Sequence, residues 1–299
     1  MGWIGLWALV AVVGVVGLVV TVSSRRLERS VRAAQRSLLE RAVARGVTSA
    51  RVDPRSLPPP VARYLKLAID RDRAPVRGAR LRHGGSMRLK PDGAWMPIRG
   101  EQAFSADPPS FLWWGRIRVA PGVWVDARDT FTDSEASMKI LADSVVPLGD
   151  VRGPELDQGA ALRVLGEMLW FPTALFDERH VTWSAIDERR ARATLRFGGR
   201  EVSATLEFGA DGLPERIHAE RYRDLGGGRS ELTPWSGYAR DFRRVGGMLV
   251  PFEMESVWEL PAGPFPCLRF TIEEIVYDEQ AIATSAEPAR ASGVLATAP

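Results

Sequence analysis

Residues 3–22, WIGLWALVAVVGVVGLVVTV, are twenty consecutive positions without a charged side chain. Nothing else in the sequence restricts the chain as tightly. A helix rises about 1.5 Å per residue, so this run covers roughly 30 Å, the hydrocarbon thickness of a bilayer. Trp3 and Trp7 fall where an interfacial aromatic belt sits. A cleavable signal peptide has an apolar region of about 7–15 residues preceded by Lys or Arg. Here the run is longer, no charge precedes it, and Val22-Ser23-Ser24 makes a poor cleavage site. Residues 1–24 therefore read as a single-pass transmembrane helix in the cell membrane.

The thirty residues after Val22 carry eight arginines against Glu28 and Glu40, a net +6. The whole chain is +3 and nothing before Ser23 is charged, so the remainder comes to −3. Basicity belongs to the junction, and a nucleic-acid-binding domain with a basic face of its own is not expected. Arg25, Arg26, Arg29, Arg32 and Arg36 are placed to meet anionic head groups of membrane lipids, at about 1 kcal/mol each. A solvated helix face is the plainer account of Arg41 and beyond. The positive-inside rule puts this flank, and the domain after it, in the cytoplasm. A single cysteine, Cys267, rules out an intramolecular disulfide and leaves the compartment open.

Residues 25–53 read as an arginine-rich helix and linker. Leu27, Val31, Ala34, Leu38 and Leu39 recur at helical spacing, and Gly46 ends the run. A second helix follows Ser56, a candidate N-cap, with Val61, Tyr64, Leu65 and Ala68 as its apolar stripe. From Val76 onward short alternating runs are broken by turn signals, Gly198-Gly199 and Asp211-Gly212 among them. Ten or eleven strands at close spacing predict a mainly β (α+β) domain over 54–279, built on a large antiparallel sheet. One helix interrupts it from Pro154, with apolar residues at three and four, closed by Trp170-Phe171-Pro172. The tail, 280–299, is Ala-, Ser- and Pro-rich and is expected to be disordered.

Catalytic signatures are missing. His83, His180 and His218 stand far apart without metal-ligand spacing, which predicts surface or satisfied positions and no metal. Gly84-Gly85-Ser86 lacks the second glycine of a nucleophile elbow and predicts a bent strand. Gly226-Gly227-Gly228 has no Lys-Ser/Thr after it and reads as a hairpin loop. No cofactor is implied, and the leaning is away from an enzyme. A hydrolase built on scattered Asp, Glu and His is the third reading, which a cleft with convergent ionisable groups would revive.

The aromatic residues are the positive signal. Trp113 and Trp114 are adjacent in a predicted strand, so one points to each face of the sheet. Either both faces are covered or one lines a groove; an ordinary aromatic core accounts for the same residues. Trp124, Trp170 and Phe171 join them as candidates for an apolar ligand site, with Glu167, which either points into a cavity or lies on an exposed helix surface.

FSADPPSFLW (104–113), APGVWVDARDTF (120–131), GPELDQGAALRVLGEMLWFPTAL (153–175) and TPWSGYARDFRRVGGMLVPFEMESVWELPAGPFP (233–266) resemble an uncharacterised bacterial family whose domain has no known function. The C-terminal block, Tyr-x-x-Asp-Phe-Arg, a Gly turn and Leu-Val-Pro, also resembles the lipoprotein-carrier (LolA-like) superfamily. That second resemblance implies a curved half-barrel, the helix at 155–170 plugging its concave side, and a groove for acyl chains. It also implies an extracytoplasmic domain, against the arginines, and the reading leans slightly that way. The expected function is binding of a lipid or other apolar molecule at the membrane. The alternative is a scaffold whose sheet meets a protein partner.

Overall fold

A computed structural model of the chain describes residues 2–46 and 52–285. The first helix, α1 (Gly2–Ala44), runs unbroken from the apolar segment through the arginines. No glycine or proline lies between Leu18 and Ala44, so nothing interrupts the backbone where polarity changes. Gly46, at φ +73°, follows its end. The residues predicted as separate anchor and juxtamembrane helix are thus one rod. Residues 3–22 are long and apolar enough to cross a membrane, and the most apolar window is wholly exposed.

Thirteen strands follow: β1 (Gly78–Met87), β2 (Met96–Ala106), β3 (Pro109–Ala120), β4 (Val123–Thr132), β5 (Glu135–Ala142), β6 (Val146–Val151), β7 (Val181–Ala185), β8 (Arg190–Phe197), β9 (Arg200–Phe208), β10 (Pro214–Gly226), β11 (Arg229–Val245), β12 (Met248–Leu260) and β13 (Gly263–Tyr277). They form one antiparallel sheet in the order β6-β5-β4-β3-β2-β1-β13-β12-β11-β10-β9-β8-β7. The count exceeds the expected ten or eleven because short edge strands such as β6 carry little alternation. β1 and β13 are central, and a meander runs outward on each side. Gly198 and Gly199, at φ +50° and +73°, close the β8–β9 hairpin as their spacing predicts.

The sheet is strongly curved. β4 and β8 are nine strands apart in the order, about 43 Å if the sheet were flat. Yet the rings of Phe131 and Phe197, one from each, have centroids 5.7 Å apart. α2 (Pro59–Ala68) and α3 (Pro154–Glu167) pack inside this curl, α3 touching strands of both arms. Ser56 lies in a 3-10 turn opened by Asp53 and does not cap α2, whose N-cap position is Pro58.

The convex face is covered by the second half of α1 and by α4 (Asp278–Thr284). Val31, Leu38 and Leu39 pack there on Ala103, Leu112, Trp114 and Ala281. Gln35 donates to the carbonyls of Glu101 and Leu112 at 3.1 and 3.3 Å. Helix α4 corrects the expectation of disorder from residue 280: Ala281 is fully buried, and that burial supplies what a polar tail lacks. The rest of the predicted tail, 286–299, and the linker residues 47–51, with Arg51, lie outside the described residues.

Candidate functional site

Strand alternation sorts the predicted aromatic residues between the two faces. Odd positions of β3 point inward, so Trp113 faces the concave side with Phe111 and Ile117. Trp114 points outward and is buried beneath α1. Between sheet and α3 lies a cavity of about 740 Å³, within the roughly 300–1,000 Å³ of small-molecule pockets. Its walls are apolar: Met87, Met96, Ile98, Ile117, Val125 and Met138 among others. Four of the chain's seven methionines line it, counting Met254.

Two tryptophans lie flat in the wall because the residue two positions on is glycine. A Cβ on Gly115 would come within 2.3 Å of the Trp113 indole, and one on Gly237 within 3.1 Å of that of Trp235. Any larger residue would push these rings toward the cavity. Trp113 Nε1 donates to His83 Nε2 at 2.8 Å, so that nitrogen must be an unprotonated acceptor. His83 is almost fully buried with its ring 4.0 Å from that of Phe270. Burial, helped by the nearby Arg163 charge, pushes its pKa down to about 3. His83 is thus a buried neutral histidine only half satisfied. Its Nε2 has its donor in Trp113, while Nδ1, which carries the proton, has no hydrogen-bond partner, short of the fully satisfied position its isolation in the sequence predicts.

The floor is polar. From α3, Arg163 donates to Glu167 Oε1 at 2.8 Å, to Asp129 Oδ2 at 2.7 Å and to Gln102 Oε1 at 3.0 Å. Gln102 in turn donates to Glu167 Oε2 at 2.7 Å. The guanidinium lies over the rings of Phe111 and Trp113. Burial raises the pKa of both carboxyl groups, and Arg163 opposes that rise. Arg163 itself is held above its ordinary value, because its two carboxylates outweigh the burial that would lower it. Ionisable groups do converge in this cleft, but Glu167 has both oxygens engaged. The network fastens α3 to β2 and β4, and leaves one oxygen, Oδ1 of Asp129, buried at the cavity without a hydrogen-bond partner.

Arg221 of β10 differs. It lines the cavity over Trp235 and Trp258, with centroid distances of 5.4 and 5.9 Å. Among the described residues no carboxylate lies within ion-pair distance of it, although the Asp129 and Glu167 charges act on it from further off, and its Nε has no hydrogen-bond partner. Burial lowers its pKa.

Of the predicted ligand-site residues, Trp113, Glu167 and Trp170 line the cavity. Trp114 and Trp124 do not. Trp124 lies on the convex face under the Arg116 guanidinium, 4.8 Å away, donating to Asp126. Phe171 packs fully buried against Phe104 at 4.9 Å, beyond the cavity floor. Among the predicted membrane-surface arginines, Arg25, Arg26, Arg29 and Arg36 are exposed, Arg36 pairing with Glu40. Arg32 instead turns onto the sheet and pairs with Glu101 at 3.2 Å, whose other oxygen takes Arg80. It sits between Val31 and Gln35 on the stripe that docks α1. Sequence reasoning missed Asp129, Gln102, Arg163 and Arg221. The one local signal was the Arg163–Glu167 spacing of four on α3.

A family model described as "Family of unknown function (DUF6544)" matches residues 47–270. No curated protein matches the chain. Among solved structures, the chain is similar to a DUF1329 family protein from Desulfovibrio piger, with 12% identity, TM-score 0.38, and coverage of 68% of this chain and 87% of that one. It is also similar to a LolA superfamily protein from Nitrosomonas europaea, with 10% identity, TM-score 0.33, and coverage of 68% and 87%. A third is a beta-barrel-like protein of the domain of unknown function DUF1849 from Brucella abortus, with 9% identity, TM-score 0.31, and coverage of 69% and 99%. Likeness at this level transfers no ligand and no activity.

Proposed function

Because the chain belongs to the DUF6544 family, which has no known function to lend it, we propose a function from the cavity itself: a membrane-tethered domain that holds a lipid or other apolar molecule between the sheet and α3. The cavity carries this reading. Some 740 Å³ of space walled by Met, Ile, Val and Trp side chains is the environment an acyl chain seeks. Flexible methionines on several strands let one site fit chains of differing shape. The exposed apolar half of α1 supplies the tether.

The unpaired Arg221 favours a ligand with an anionic end, since a guanidinium over aromatic rings is short of an acceptor. Arg163 already faces two carboxylates, Asp129 and Glu167, so its network adds no such demand. The test uses the full chain in lipid nanodiscs containing a fatty acid with a photoactivatable group near the chain end. Illumination should leave adducts on peptides around Met87, Met96 and Met138, and Met138→Trp should remove them by filling the space. Adducts confined to residues 3–22 would sink the proposal.

A further inference from the structure

α1 and β3 run side by side in opposite directions, and their contacts fix where the membrane meets the domain. Arg45 donates to the Asp107 carbonyl, Gln35 to that of Leu112, and Arg116 donates to the Ser24 hydroxyl at 2.8 Å. From residue 35 to 24 the helix covers about 17 Å, and from 112 to 116 the strand covers about 13 Å. The two axes therefore run close to parallel. Val119, three residues past Arg116, lies about 10 Å further along, level with α1 residues near Gly17. That is inside the apolar run.

The same end of the sheet carries an apolar rim. Leu89 lies in the β1–β2 turn, Val119 and Val123 flank the β3–β4 turn, and Val145, Val146 and Leu148 belong to the β5–β6 turn and β6. All six are exposed, Leu89 at 72% and Leu148 at 59%. They are half of the twelve large hydrophobic residues exposed outside α1 among the described residues, so the clustering is not a scatter of single surface residues. Ser144 ties the β5–β6 turn to this level through its contact with Arg116 at 3.3 Å. Leu89, Val119 and Leu148 also line the cavity, and they are its most exposed lining residues. Its mouth is here. Lys90 and Arg118, exposed beside them, and Arg25, Arg26 and Arg29 on α1 supply cations at the depth of lipid phosphates.

We infer that this end of the sheet is a membrane-docking surface, seated in the head-group and outer acyl region of the bilayer that α1 enters, so that the cavity opens to lipid and not to water. The inference rests on the tether in the proposed function but not on the cavity being loaded. A lipid then reaches the cavity by sliding over Val119 and Leu148 without crossing water. In water the rim would leave six large apolar side chains unpaired; in the interface they are solvated by acyl chains.

The experiment uses the full chain, in a Cys267→Ser background, reconstituted in vesicles of phosphatidylcholine and phosphatidylglycerol. Single cysteines replace Val119, Leu148 or, at the opposite end, Asp211, and each carries an environment-sensitive fluorophore. The first two should emit at shorter wavelength than the third and lose intensity when nitroxide-labelled lipids are added. All three positions are exposed, so folding is not at stake, and near-UV circular dichroism checks it. Labels at 119 and 148 that match the one at 211 in wavelength and resist quenching overturn the inference. Photoadducts in the cavity together with water-like labels would leave the binding function standing and remove only the docking surface.

Discussion

The two ends of the curled sheet's interior are built from strands of the same texture, yet one is solid and the other hollow. At the solid end Phe104 packs on Phe171 and Trp170, and Tyr64 on Phe176 and Phe208, with centroid distances of 4.9–6.3 Å. Trp170 is pinned there, its Nε1 donating to the Pro251 carbonyl and its own carbonyl accepting from the Tyr277 hydroxyl. At the hollow end Met87, Met96, Val125, Met138 and Ile140 stay half-buried around open space. The difference lies in the helices. α2, α3 and the 3-10 segments after it reach only part of the way along the concave face. Strand alternation decides which side chains point inward, and the inserted helices decide whether anything meets them.

The largest effects should come from the solid end and its boundary. Arg163→Met leaves Asp129 and Glu167 buried without their cation and should cost about 3–5 kcal/mol in denaturant unfolding of the full chain. Phe171→Ala should cost a similar ~3–5 kcal/mol through the cavity it opens. Losses near zero at both would mean that this end is as loosely packed as the other.

Next in size is a pH effect at the boundary, where His83 sits behind Trp113. Its folded pKa of about 3 lies below the ordinary 6.5, so its contribution is complete above pH 6.5 and is lost as pH falls toward 3. Wild type should lose up to about 1.4 kcal/mol per pH unit below 6.5 relative to His83→Gln. Asp129 and Glu167, whose raised values disfavour the fold as pH climbs through them, act with the opposite sign. They are present in both proteins and cancel in the comparison. Parallel stability curves would show that His83 is already protonated or exposed.

Smaller effects belong to the hollow end. Arg221→Gln should weaken capture of a fatty acid about tenfold, ~1.4 kcal/mol, and leave an uncharged alcohol of the same chain length unaffected. Equal weakening of both would make Arg221 a wall and not a head-group contact. Least of all, Met138→Ala should change stability by under about 1 kcal/mol, because its side chain already faces space on one side. A loss comparable to that of Phe171→Ala would mean the cavity is filled.

Much of the concave face was legible. Alternation in β3 places Trp113 and Trp114 on opposite faces. Trp124, expected at the ligand site, instead falls on the convex face, since Val125 and Ala127 are the β4 residues that turn to the cavity. Glu167 stood out as a carboxylate on a helix whose other face is apolar. Asp129 and Arg163, 34 positions apart, are joined only because the sheet curls α3 against β4. Phe171 beside Trp170 gave no local sign of pointing past the cavity floor. Arg32 resembled its neighbours in the arginine run until the docking angle of α1 turned it onto Glu101.

Taken alone, the sequence determined the apolar run, the uninterrupted helix after it, the hairpins and the antiparallel strands, because each is set by residues within a turn or two of one another. The tertiary structure alone decided that the sheet curls, that the concave side is filled at one end and hollow at the other, and that the hollow end lies beside the apolar run. Those outcomes depend on strand twist summed over thirteen strands and on helices packing across residues far apart in the chain. No local pattern carries that sum.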